Sequence, residues 1–279
     1  NDERIVTLLG DIGVFGFKKI FEQHKERIYN LGILEQSTIG IAAGIAHSGM
    51  IPTVHTIATF LVERAIEQLK IDFCYQQLGG NFISVGASYD YAALGATHHC
   101  PEDVALLLQL PSMEIIVPGT PKEFDLLFRQ SYSNEHSTYF RLSEEKNSKS
   151  YDVVFGKAEV LKKGNTGTII VVGTMADSVV AASEELDVTI LYYTTISPFD
   201  SETLRNNLSG QTITICEPFF EGTMTSLVAN ALPKKPFRIE TIGVPKAFVP
   251  HYGTKLEIDE EFRLTPLHIK KRLQQIYHE

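Results

Sequence analysis

The sequence predicts an α/β protein built as two successive domains, each a mainly parallel sheet flanked by helices. Two observations carry that prediction. Short apolar runs of strand length alternate with amphipathic helical stretches from end to end, a pattern that demands crossover connections and a sheet covered on both faces. The alternation is interrupted once, by the polar run Ser143-Glu144-Glu145-Lys146-Asn147-Ser148-Lys149-Ser150. The length of 279 residues leaves room for about two domains at roughly 150 residues each.

Taken in order, Arg4 to Leu9 reads as a buried strand ended by Gly10, Phe17 to Lys25 as a helix, and Arg27 to Asn30 as a short strand. Glu35 to His47 reads as a helix closed by Gly49, and Thr53 to Thr56 as a strand. Phe60 to Gln77 reads as one long helix, with Leu61, Ala65, Leu69 and Phe73 at helical spacing. Phe82 to Val85 is a strand, and Ala87 to His99 a loop rich in Gly, Ala and Tyr. A short helix follows at Pro101 to Leu108, then a strand at Glu114 to Val117, a helix at Pro121 to Asn134 and a strand at Ser137 to Leu142. Past the polar run, strands are expected at Lys157 to Leu161, Gly167 to Val172, Val188 to Tyr192, Thr212 to Cys216 and Phe237 to Ile242. Helices are expected at Met175 to Leu186, Ser201 to Leu208, Thr223 to Leu232 and Pro266 to Tyr277, the last entered through Thr265 as N-cap. The domains are expected at residues 1–146 and 154–279, with 147–153 as linker.

Composition excludes several classes of function. The chain is 43% hydrophobic and 21% charged, an ordinary globular balance. A net charge of −9 argues against nucleic-acid binding, which needs a basic face. No apolar run is long enough to span a membrane. Cys74, Cys100 and Cys216 form neither a zinc pattern nor a disulfide framework, which fits a reduced, cytoplasmic setting. No signal peptide is visible; the chain starts at Asn1 rather than Met, which leaves room for a short preceding segment.

Two features imitate known sites. Gly10, Gly13 and Gly16 follow a strand and precede a helix, but their spacing is GxxGxxG rather than the dinucleotide GxGxxG, and no Gly-Lys-Ser/Thr follows. Turn chemistry is the better reading. His98 and His99 suggest a metal, but adjacent residues of an extended loop face opposite ways, so no metal is expected here.

The informative stretch is Asn30-Leu31-Gly32-Ile33-Leu34-Glu35-Gln36-Ser37-Thr38-Ile39-Gly40-Ile41-Ala42-Ala43-Gly44-Ile45-Ala46. Glu35 opens a helix that otherwise carries almost no charge. It serves the helix dipole at the least, and a carboxyl at the mouth of so apolar a helix is suited to hold or donate a proton. Gly in a helix interior costs about 1 kcal/mol against Ala. Gly40 and Gly44 therefore signal close approach of another helix, the same helix of a second copy, or a ligand.

This stretch resembles the pyrimidine-binding domain of transketolases and their thiamine-diphosphate relatives. The resemblance continues through Thr59-Phe60-Leu61, Arg64-Ala65 and Glu67-Gln68, then Gly95-Ala96-Thr97-His98 with Glu102-Asp103, then Leu110-Pro111-Ser112-Met113 and Ile116-Val117-Pro118-Gly119-Thr120-Pro121. The second half resembles the transketolase C-terminal domain in Thr195-Ile196-Ser197-Pro198-Phe199-Asp200, Cys216-Glu217 before Gly222, and Ile242-Gly243-Val244-Pro245.

The resemblance implies a subunit of a split transketolase-like enzyme that moves a two-carbon ketol unit between sugars or sugar derivatives with thiamine diphosphate. Glu35 matches the family Glu that contacts N1′ of the cofactor's aminopyrimidine ring, and Phe60 the aromatic that stacks on that ring. His98 matches a His near the reacting carbon; Leu34, Arg64 and Asp11 are expected at the cofactor and His98 and His99 at the substrate, with pairing to Glu63 or Glu67 on its own helix as the other reading of Arg64. The diphosphate and its Mg²⁺ belong to a domain not in this sequence. The resemblance thus implies a separate N-terminal subunit and a homodimer core within a heterotetramer. Many members end the last strand of the pyrimidine domain with an Arg for the donor's phosphate. Here Arg141 stands three residues early and the later position is Glu144, so that function does not carry over. The alternatives are the beta subunit of a 2-oxoacid dehydrogenase, disfavoured by Thr97-His98 and Leu110-Pro111, and a non-catalytic scaffold, disfavoured by Glu35, Phe60 and His98.

Overall fold

The computed structural model describes residues 2–278. The first half runs β1 (Ile5–Leu9), α1 (Lys18–Gln23), β2 (Ile28–Asn30), α2 (Glu35–His47), β3 (Ile51–Ile57), α3 (Ala58–Leu61), α4 (Ile66–Gln68), β4 (Gly80–Val85), α5 (Asp103–Leu107), β5 (Glu114–Ile116), α6 (Pro121–Ser131) and β6 (Ser137–Arg141). The second half runs β7 (Glu159–Lys162), β8 (Gly167–Val172), α7 (Ala176–Ala182), β9 (Val188–Tyr193), β10 (Thr195–Ser197), α8 (Ser201–Asn207), β11 (Thr212–Phe220), α9 (Thr225–Ala231), β12 (Arg238–Val244), α10 (Lys255–Glu261) and α11 (Pro266–His278).

The strands form two sheets, of order β10-β5-β6-β4-β3-β1-β2 and β12-β11-β8-β9-β7. All pairings are parallel except β10 with β5 and β7 with β9. Strands β6, β8 and β9 are buried along their whole length, as parallel strands with both faces covered must be. This is the two-sheet α/β architecture expected from the alternation.

Four particulars differ from the expectation. First, Phe60 to Gln77 is not one helix: α3 ends at Leu61, and α4 leads into a π-helical turn over Leu69–Cys74. Leu61, Val62, Ala65, Leu69 and Phe73 are all buried and share one face at helical spacing, so the apolar period runs on while the backbone leaves α-helical hydrogen bonding, with Arg64 N–H donating to the Thr59 carbonyl at 3.3 Å. Second, β10 crosses from the second half to extend the first sheet, pairing Thr195 with Ile116 and Ser197 with Ile115. Third, the polar run after β6 holds no strand or helix but is not a free linker. Asn147, 4% exposed, donates to the Gly173 carbonyl (3.0 Å), accepts from Asp177 N (3.3 Å) and sends its own N–H to the Gly119 carbonyl (2.9 Å). One buried amide thus joins both halves.

Fourth, α10 escaped the sequence reading although its start is written there. Thr254-Lys255-Leu256-Glu257 is a capping box: Thr254 Oγ1 accepts from Glu257 N (3.3 Å), and Glu257 Oε2 accepts from Thr254 N (2.7 Å). Thr254→Ala is expected to cost about 1 kcal/mol in urea-induced unfolding; an unchanged midpoint would show that the cap contributes nothing.

Candidate functional site

The candidate site lies where the parallel strands β1, β3 and β4 of the first sheet end, the usual position for chemistry in an α/β fold. α2 buries Glu35, Thr38, Ile39, Ala42 and Ala43, a stripe at helical period, and leaves Gln36, Ser37, Gly40, Ile41 and Gly44 outside. Glu35 is therefore the acidic member of a core face, 4% exposed. Arg64, turned back by the break after α3, donates from Nη1 to Glu35 Oε2 at 2.7 Å. Glu35 Oε1 is buried and has no partner. An unpaired carboxylate oxygen in such a place is costly and points to a donor that this chain does not supply.

Phe60 joins the same group. The Arg64 guanidinium covers its ring at 4.2 Å from the centroid, and the His98 ring stands edge-on to it at 5.3 Å. Tyr91 sets its own ring edge-on to His98 at 6.5 Å. The loop carrying Tyr91 and His98 depends on two glycines. Gly86 (φ +75°) leaves no room for a Cβ, which would run into the Tyr91 ring, and at Gly95 (φ +76°) a Cβ would lie 2.7 Å from the ring of Tyr252.

That loop is anchored from below. Asp103 is fully buried and accepts from Arg141 Nε at 2.7 and 3.0 Å and from the Tyr139 hydroxyl at 2.8 Å. Arg141 Nη2 donates to Ser88 Oγ at 2.7 Å, and the Ser88 carbonyl receives the N–H of Cys100 at 2.7 Å. Arg141, 3% exposed, is thus held by the scaffold through Nε and Nη2.

Glu35, Arg64, Phe60 and His98 therefore come together, with Leu34 exposed beside them at the N-terminus of α2. Asp11 and His99 stand apart. Asp11 exchanges hydrogen bonds with Asn30, the last residue of β2 (both 3.0 Å), and no hydrogen bond or ion pair among the described residues joins it to Glu35, Phe60 or His98. His99 lines a separate cavity: His98 closes a 3-10 turn over Ala96–His98, and His99 leaves that turn in extended backbone. Sequence reasoning missed Tyr91, whose only signal was the aromatic content of the loop, and Tyr252, which arrives from the far half.

The family model described as transketolase, pyrimidine binding domain, matches residues 2–149, and that described as transketolase, C-terminal domain, matches residues 156–269. An uncharacterized 33.6 kDa protein of the fasciation locus of Rhodococcoides fascians is 37% identical over 91% of this chain and 82% of that one. An apulose-4-phosphate transketolase subunit of Phocaeicola vulgatus is 31% identical over 84% of this chain and 78% of its own length. Among solved structures, a split gene transketolase in the form of an inactive beta4 tetramer superposes with a TM-score of 0.86 at 25% identity, covering 99% of this chain and 93% of the other.

Proposed function

The chain belongs to the transketolase family, and from that premise we propose that it is one subunit of a split transketolase, active with a separate partner that holds the diphosphate and Mg²⁺ of thiamine diphosphate. The supporting observation is the Glu35 carboxyl: buried, held at one oxygen by Arg64, and left without a partner at the other. The aminopyrimidine of thiamine diphosphate offers the missing group, since its N1′ exchanges a proton with a carboxyl. When bound, the cofactor supplies the electron sink for breaking and making the ketol carbon–carbon bond.

The roles of the protein's residues follow. Glu35 holds and moves the proton at N1′; Arg64 fixes the carboxyl's orientation and backs the Phe60 ring. Phe60, half-buried, provides the flat apolar face for the pyrimidine. His98, in contact with Phe60, exchanges protons with the substrate's hydroxyl or carbonyl oxygen. Leu34 closes the rim of the cofactor site. Asp11 and His99 are not assigned to it. The division into domains at 1–146 and 154–279, with 147–153 between them, is part of this proposal; the termini Asn1 and Glu279 lie outside the described residues. A cytoplasmic setting is proposed as well: Cys74, Cys100 and Cys216 are free and buried, and no helix among the described residues is long and apolar enough to cross a membrane.

Assembly is proposed to use the outer face of α2. A Cβ on Gly44 meets nothing within 4 Å, and one on Gly40 meets only Asp72 Oδ2 at 3.8 Å. The glycines are therefore not required by this chain's own packing. Ile33, Leu34 and Ile41 flank them, all exposed. A second copy or the partner subunit laid along this face explains both features. Gly44→Leu is expected to leave the chain's melting temperature within a few degrees of wild type while lowering the assembled mass in analytical ultracentrifugation; a wild-type mass with normal activity would refute the interface. The function itself is tested by titrating thiamine diphosphate into this chain with and without the co-expressed partner. Binding is expected with both together; failure of the pair to bind would refute the proposal.

A further inference from the structure

Beside the loop that carries His98, the two halves enclose a cavity of about 140 Å³ that the mechanism does not use. One wall is apolar: Phe220, Val249 and Phe262, with Phe248 at the lip, 87% exposed. The other wall carries Glu63, His99 and Glu102. His99 is 8% exposed, and its Nε2 has no hydrogen-bond partner; Glu102 Oε2, also buried, has none. Burial pushes His99 towards its neutral form, in which a ring nitrogen is an acceptor. Glu63 Oε2 already takes the Thr59 hydroxyl at 2.5 Å, and the Glu63 and Glu102 carboxyls lie within 4.8 Å of one another. Burial, and then the adjoining Glu63 carboxyl, push the Glu102 carboxyl up to about 7.

These groups are complementary to one kind of ligand. Two unpaired acceptors in an apolar pocket lack donors, and two adjoining carboxyls lack positive charge. An anion meets Glu63 and Glu102 unfavourably, and a purely apolar guest leaves both acceptors unpaired. Cys100 Sγ also approaches the two carboxyls within 4.8 Å, but Cys100 is fully buried and does not line the cavity, and its thiol is pushed well above the ordinary range by burial. That disfavours a metal–thiolate site. We propose that the cavity binds a small organic cation, a protonated primary amine on an apolar body, with the ammonium donating to His99 Nε2 and Glu102 Oε2 and the body against Phe220, Phe248 and Phe262. Ala96 also lines the cavity, two residues from His98, so occupancy stiffens the turn that presents His98 to Phe60. The proposal stands independently of the cofactor reading.

The test is calorimetric titration of the full chain with phenethylamine, using 2-phenylethanol and 3-phenylpropionate as neutral and anionic counterparts. One amine is expected to bind per chain, with the alcohol at least about tenfold weaker and the carboxylate not bound, since hydrogen bonds to charged groups are the strong ones. Glu102→Gln, nearly isosteric, is expected to weaken the amine about tenfold or more, and His99→Phe to weaken it while the melting temperature reports that each variant is folded. If one variant fails to fold, the other and the ligand series still decide. Equal affinity for amine and alcohol, or amine affinity unchanged in both variants, overturns the proposal. So does stoichiometric zinc binding that excludes the amine and is lost in Cys100→Ser, which would make the cluster a metal site.

Discussion

Replacing Glu35 by Gln is expected to lower turnover of the reconstituted two-subunit enzyme by about 10²–10⁴-fold, the usual contribution of a positioned acid–base group. Gln keeps the size of the side chain and a hydrogen-bonding oxygen but cannot trade a proton. Stability should change little. The ion pair that is lost has one partner, Arg64, with 42% of its side chain in solvent, so screening limits its worth to about 1 kcal/mol or less. A purely structural Glu35 predicts the opposite pattern: near-normal turnover in the Gln variant and a loss confined to stability. Steady-state kinetics and a melting curve on the same preparation separate the two.

The second large effect is on stability. Asp103→Asn removes the charge that Arg141 faces, and both side chains are out of solvent. Breaking a buried pair from one side typically costs about 3–5 kcal/mol, because the remaining charge is left uncompensated. Asp103 also receives the Tyr139 hydroxyl, and Arg141 holds Ser88, so the same change loosens the loop bearing Tyr91 and His98. Guanidinium-induced unfolding should show a shifted midpoint with the slope retained. A loss below about 1 kcal/mol would mean that the pair does not anchor the loop.

The legible parts of the molecule were those written in local pattern. Glu35 stood out because one acid opens an uncharged helix, and the structure places that helix at Glu35–His47, the range its periodicity predicts. Phe60, Arg64 and His98 were found through motifs, and they meet around Glu35. The parts that were not legible depend on partners distant in sequence. Strand β10 is three residues long and exists because β5 offers it an edge. The end of α3 is hidden because Leu61, Val62, Ala65, Leu69 and Phe73 keep one buried face through the break, so the period alone reads as a continuous helix. Asn147 sits in a run that reads as solvated linker, yet it is buried because Gly119 and Gly173 present backbone groups to it. His99 illustrates the limit of motif spacing: one residue from His98, it faces a different cavity.

The proposed chemistry depends above all on Glu35 controlling the proton on the cofactor's pyrimidine. Hydrogen–deuterium exchange at C2 of thiamine diphosphate bound to the assembled enzyme reads that control without waiting for turnover. It can be measured by quenched-flow NMR for wild type and Glu35→Gln. Exchange slowed by about 10²-fold or more in the Gln variant is the predicted result. Exchange at the wild-type rate, in a variant shown to be folded and loaded with cofactor, would contradict it.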